Sequence, residues 1–182
     1  MKGLTLKVDR MRELVQQINR LTGKAVYVGV PAEEASREDA DPAAQQQPMN
    51  NATLAYIHDQ GSPAANIPAR PFLAQGIEEN RVAIERRLKK AADEAMRGRR
   101  GNVDGALEEV GQTAQAGVRR KINSGGFQPL SDSTLKARAR RGRKGAQKEL
   151  DRRAEGEAPG TADAKPLIDT AQMRNSINYV IS

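Results

Sequence analysis

Ile67-Pro68-Ala69-Arg70-Pro71-Phe72-Leu73 is the stretch from which the fold reads outward. Pro68 and Pro71 each fix φ at about −65° and push the preceding residue toward extended geometry. Ala69-Arg70 is thereby held extended, and Phe72-Leu73 follows as an apolar pair leading into a helix. Two readings of this arm stand. In one it is a stiff connector that buries Phe72 in its own core. In the other it is a docking element, with Arg70 offering a rigid fork of donors to a carboxylate and Phe72 a large area to cover.

Working outward, a helix is expected over 75–97, with Ile77, Ile84, Leu88, Ala91 and Ala95 on one face. Another fits 103–123, striped by Val103, Leu107, Val110, Ala114, Val118 and Ile122. Gly105, Gly111 and Gly117 each weaken it by roughly 1 kcal/mol relative to alanine, so close packing is expected there. Upstream, Val8, Met11, Leu14, Val15, Ile18 and Leu21 predict an amphipathic helix over 8–22, capped by Asp9 and ended by a left-handed Gly23. Val26, Val28 and Val30 alternate up to Pro31, the pattern of a short strand. Residues 51–61 read as a helix capped by Asn50 or Asn51 and stopped by Gly61. Ser131 to Thr134 can start a helix carrying Leu135. Near the end, Leu167-Ile168-Asp169-Thr170 reads as a capped helix start, a helical turn bears Met173, and 177–181 is a second strand.

Two stretches carry little that is apolar. Residues 31–50 hold three prolines, three consecutive glutamines and several acids. Residues 136–165 begin basic and end in glycine, alanine, proline and acids. Both are expected to be extended, mobile arms that order against neighbours. The fold class expected is α+β: one domain over 1–182 with a small antiparallel or mixed sheet packed by three or more helices.

Composition narrows the function classes. Of 182 residues, 37% are hydrophobic and 3% aromatic, against about 45–50% apolar in an ordinary soluble domain. The core is therefore small and rich in alanine, and apolar surface is left for a neighbour to cover. The net charge of +7 favours polyanionic partners, nucleic acid or an acidic protein surface. The absence of cysteine excludes disulfides, thiolate zinc sites and thiol catalysis, and fits a reducing compartment. No signal peptide is legible, and no run approaches the roughly 20 apolar residues of a membrane span. A soluble protein made in the cytoplasm, with no membrane partner, is expected.

Enzyme chemistry finds little to stand on. His58 is the sole histidine, and neither a His-Glu-x-x-His pattern nor the other members of a triad accompany it. It reads as a side chain hydrogen-bonded at a helix end. Glu33/Glu34, Glu78/Glu79 and Glu108/Glu109 are sequence neighbours, which a helix points about 100° apart. Ser124-Gly125-Gly126 lacks the lysine of a phosphate loop. No catalytic, metal or cofactor residue is therefore assigned. The strongest electrostatic feature is the run Lys136, Arg138, Arg140, Arg141, Arg143 and Lys144, which can neutralise phosphates. No aromatic interleaves it for base stacking, and a solvated loop or an acidic protein partner suits it equally.

Tyr56-Ile57-His58-Asp59-Gln60-Gly61 followed by Ile67-Pro68-Ala69-Arg70-Pro71-Phe72-Leu73 resembles a motif of bacteriophage tail-completion and virion-morphogenesis proteins. Pro129-Leu130-Ser131, Thr134, the basic run and then Pro166-Leu167-Ile168-Asp169-Thr170, Met173 and Ser176-Ile177 resemble that family's second block. Ala171 stands where the family usually has glycine, and Asp59-Gln60 where it has an acid and phenylalanine. The resemblance touches about two thirds of the chain.

It implies a non-enzymatic structural virion protein that needs no cofactor. Such a protein forms a homo-oligomeric ring, of six-fold or twelve-fold symmetry, at the neck or upper tail: a tail-completion factor, tail terminator or collar. Its partners are other neck, connector or tail proteins, with genome DNA passing through the lumen. Pro68, Arg70, Pro71, Phe72, Leu73, Asp169 and Thr170 are then the expected assembly interface. Lys136, Arg138, Arg140, Arg141, Arg143 and Lys144 are the expected contacts to DNA or an acidic partner. The alternative is a basic nucleic-acid-binding protein that uses 136–144 on phosphates.

Overall fold

The computed structural model describes residues 2–37, 49–98 and 102–182, with the backbone alone over 2–10. Among these residues the fold is mostly helical: eight α-helices and one two-stranded antiparallel sheet. The contents are those of an α+β protein, with the sheet reduced to its minimum. The helices are α1 (Lys2–Thr22), α2 (Asn51–Gln60), α3 (Phe72–Glu78), α4 (Arg81–Met96), α5 (Val103–Ser124), α6 (Asp132–Arg140), α7 (Lys144–Ala154) and α8 (Gln172–Ser176); the strands are β1 (Val26–Gly29) and β2 (Asn178–Ile181). No described helix is long and apolar enough to cross a membrane.

The chain forms two compact units: Met1–Val28 with Ile77–Gly117 and Tyr179–Ser182, and Gly29–Gly76 with Val118–Asn178. In the first, α1 packs on α4. Ala91, Ala95, Val103, Ala106 and Leu107 are buried together, with Leu21, Val26 and Ile181 against them. The alanines predicted to build the core do so. Ala25 and Ser182 exchange backbone hydrogen bonds of 2.7 and 3.1 Å, which sets the register of β1 on β2. A Cβ at Gly111 would lie 2.2 Å from the Tyr179 ring, so close packing accounts for one of the glycines of α5. The Tyr179 hydroxyl donates to Glu108 at 2.8 Å on the same helix.

Three boundaries differ from expectation. α1 begins at Lys2, so Asp9 lies inside the helix and cannot cap it. Gly23 donates its N–H to Asn19 O at 2.9 Å but does not turn left-handed. The helix expected over 75–97 is two helices, broken at Glu79-Asn80, because α3 is set by the proline arm and α4 starts afresh at Arg81.

In the second unit, Asn50 accepts the Thr53 N–H at 2.8 Å and caps α2, and Gly61 ends it. Of the expected arm 31–50, residues 32–34 form a 3-10 turn, and the Asn51 side chain donates to Ser36 O at 2.9 Å. Residues 38–48 lie outside the described residues.

The other expected arm is a correction. Residues 136–154 belong to α6 and α7, which pack as a hairpin turned by Gly142 at φ 80°. Ser131 caps α6 through the Thr134 N–H. Leu130, Leu135, Ala146 and Ala164 are buried together, with Ala139 and Leu150 against them. One leucine per helix and a few alanines suffice because the arginines turn inward as well. Within the expected arm, 141–143 and 155–165 lie outside the helices.

Candidate functional site

The proline arm is anchored by α2. Ser62 and Ile67 exchange backbone hydrogen bonds of 2.8 and 2.9 Å, which close the loop between them. The Arg70 N–H donates to His58 O at 2.8 Å. Asp59 Oδ1 accepts the Leu73 N–H at 2.9 Å, so a carboxylate at the end of α2 caps the start of α3. Gly61, at φ 80°, permits this return: a Cβ there would meet Ala69 N at 2.7 Å and Ile67 O at 3.0 Å.

The arm does not present Phe72 outward. Phe72 is 0% exposed and Arg70 4%, so Phe72 packs into the core of its own chain. Phe72→Ala would leave a core cavity costing about 3–5 kcal/mol, so it reports on folding before it reports on assembly. Pro68, Pro71 and Leu73 are half-buried.

Of the capped start predicted at Asp169-Thr170, Thr170 Oγ1 accepts the Gln172 N–H at 3.5 Å, and Asp169 takes no part. The residue at the N-cap of α8 is Ala171, left-handed at φ 63°, with no side-chain hydrogen bond to the helix. This is the position where the resembled family has glycine. Asp169 instead accepts Arg141 Nη2 at 2.7 Å and Arg143 Nε at 3.0 Å.

Arg138 is buried and donates to three backbone carbonyls: Lys165 at 2.8 Å, Ile168 at 2.9 Å and Pro166 at 2.9 Å. The basic run is thus divided. Arg138, Arg141 and Arg143 hold the 165–169 segment in place, while Lys136, Arg140 and Lys144 are exposed.

Two residues missed by sequence reasoning complete the site. Glu149 is 0% exposed and accepts Arg152 Nη1 at 2.9 Å, Arg153 Nε at 2.9 Å and the Gly160 N–H at 2.7 Å. Burial alone would raise its pKa, but the Gly160 amide and the arginines hold it below the usual carboxylate range. Arg153 also donates through Nη1 to Leu130 O at 3.0 Å and Asp132 at 2.6 Å. The i,i+3 and i,i+4 spacing of Glu149 with Arg152 and Arg153 was the available signal, hidden by treating the segment as an arm.

These pieces enclose one cleft of about 1020 Å³ within the second unit. Five arginines line it, Arg37, Arg70, Arg138, Arg141 and Arg153, against two carboxylates, Asp132 and Asp169. The apolar part of the lining includes Ile67, Leu130, Leu167 and Met173.

His58 lines the cleft too. Its pKa falls to about 4, first because burial disfavours the imidazolium and then because Arg70, Arg138 and Arg37 repel it. The ring is therefore neutral at pH 7, and its Nδ1 is buried without a partner among the described residues, contrary to the local hydrogen bond expected. Arg70 Nε and Arg153 Nη2 are in the same state. Among the described residues, no group of three or more His, Asp or Glu side chains is placed to hold a metal ion.

No family model, curated protein or solved structure was found to match this chain.

Proposed function

We propose that this chain is a structural, non-enzymatic subunit of a tailed-bacteriophage virion, a ring-forming component of the neck or upper tail. The observation that supports this reading most is the convergence of the two sequence blocks that carry the family resemblance. Residues from His58 to Arg70 and from Pro129 to Met173, far apart in the chain, line a single cleft. A motif whose parts meet in space, with its glycine, prolines and Asp59 each fixing local geometry, fits a binding shape rather than a catalytic centre.

Ring formation needs apolar surface that only a neighbour covers. Counting from the Ala25–Ser182 pair, Tyr27 stands opposite Val180, and the two are 61% and 45% exposed. Met11 and Val15, one turn apart on α1, are exposed as well. Bare apolar patches are what neighbouring copies bury. The exposed Lys136, Arg140 and Lys144 are the cations assigned to genome DNA in the lumen.

Immunogold labelling of tailed particles from the genome that encodes the chain tests the proposal. Label confined to the head–tail junction is expected; particles without label would overturn it.

A further inference from the structure

We propose that the arginine-lined cleft of the second unit is a receptor for an acidic peptide segment of a neighbouring protein chain, with Arg70 and Arg153 taking its carboxylates. This deepens the assembly reading, on which it rests for the identity of the neighbour.

The argument begins with Arg70. Arg70 is 4% exposed, and its Nε is buried with no hydrogen-bond partner among the described residues. Burial lowers its pKa from the ordinary value. A buried guanidinium with no partner opposes folding, and proteins retain such groups where a ligand completes them. Arg153 Nη2 and His58 Nδ1 are also buried and unpartnered, and all three residues line the same cleft. The two carboxylates of the lining are already engaged, Asp132 by Arg153 and Asp169 by Arg141 and Arg143. Among the described residues no further carboxylate lines the cleft to balance Arg70.

The shape selects among anions. At about 1020 Å³ the cleft is at the upper end of ligand-pocket sizes, so a lone phosphate would leave most of it empty. A nucleic-acid strand would need broad aromatic platforms for its bases, and no phenylalanine, tyrosine or tryptophan lines the cleft. An acidic segment with apolar residues between its carboxylates matches both components, guanidinium forks for the charges and Ile67, Leu130, Leu167 and Met173 for the rest.

The test uses the full chain and an acetylated, amidated peptide of alternating aspartate and leucine, with an asparagine–leucine peptide as its uncharged match. His58 is the only histidine, so its ring proton resonances report the cleft without labelling. Expected are binding of the aspartate peptide at least about tenfold tighter than the asparagine peptide, and a rise of the His58 pKa on binding as a carboxylate enters its surroundings. Arg70→Met should weaken binding at least about tenfold while raising the Tm of the peptide-free chain by a few degrees, roughly, because it removes an uncompensated buried charge. The surface variant Arg86→Gln/Lys89→Gln, exposed on α4 and outside the cleft lining, should bind the peptide as the parent does.

A fall in Tm for Arg70→Met, equal binding of the two peptides, or an equal loss in the surface variant would overturn the proposal. So would tighter binding of inorganic phosphate or of a thymidine oligonucleotide than of the peptide. Rings that assemble with no peptide affinity would defeat the cleft assignment alone. Peptide affinity in a chain that labels no virion would defeat the assembly reading instead.

Discussion

Asp59 Oδ1 accepts the backbone N–H of Leu73 at 2.9 Å, so the last turn of one helix supplies the cap of the next. The bond joins the two halves of the motif across the Gly61 turn and fixes where Arg70 enters the cleft. Asp59→Ala is expected to cost about 1–2 kcal/mol, the loss of a cap plus a buried donor left unmet. Asp59→Asn, which retains an acceptor oxygen, should cost less. Urea unfolding of the three proteins measures both, and equal stability would show that the cap is unimportant.

Acid should destabilise the protein through His58. Its pKa is 6.5 unfolded and about 4 folded. Above pH 6.5 the ring is neutral in both states, and that contribution to stability is complete. As pH falls from 6.5 toward 4, the unfolded chain takes up a proton that the folded chain refuses, and stability drops by roughly 3 kcal/mol in all. Glu149, held below the ordinary carboxylate range, adds a loss in the same direction at lower pH. Unfolding free energies of parent and His58→Gln between pH 7 and 4 check this, since the variant should lack the first part of the decline.

Glu149 is the keystone of the second unit's charge network. Glu149→Ala removes the buried carboxylate that Arg152 and Arg153 share and leaves the Gly160 amide without that acceptor, with an expected cost of about 3 kcal/mol. Glu149→Gln should fall between the two. Exposed Glu155, mutated to alanine, should stay within about 0.5 kcal/mol of the parent. Thermal unfolding followed by circular dichroism ranks the series.

Arg138 and Lys136 are two residues apart and have opposite duties. Arg138→Ala removes the donor of three carbonyls and should cost about 3 kcal/mol, whereas Lys136→Ala should be within about 0.5 kcal/mol of neutral. For DNA the order reverses: Lys136→Ala should lower the salt dependence of any binding. Denaturation curves and oligonucleotide titrations across salt concentrations separate the two effects.

Ala171 holds φ 63° at the start of α8. A non-glycine residue there costs about 1–2 kcal/mol, partly offset by the entropy a glycine brings to the unfolded chain. Ala171→Gly is thus expected to stabilise the protein by about 0.5–1 kcal/mol, read as an increase in Tm.

Helices with whole apolar stripes were legible from the sequence. α5 follows Val103, Leu107, Val110, Ala114, Val118 and Ile122, and all six are buried. The strands were legible from alternation and the α2 ends from Asn50 and Gly61. The α6–α7 hairpin was not, because its stability comes from Arg138 and Glu149 turned inward, and polarity patterns assign such residues to solvent. Nor was the inward course of Phe72, since two prolines fix the stiffness of an arm but not its direction. The direction comes from Asp59 and from Arg70 N–H on His58 O, both tertiary contacts.

The most direct measurement of the central claim is the mass of the purified, full-length chain under native conditions. A closed ring of six or twelve copies is predicted, reduced to monomer by Tyr27→Asp with Val180→Asp, which charges the exposed sheet face. A monomer at every concentration, in the parent protein, would contradict the account.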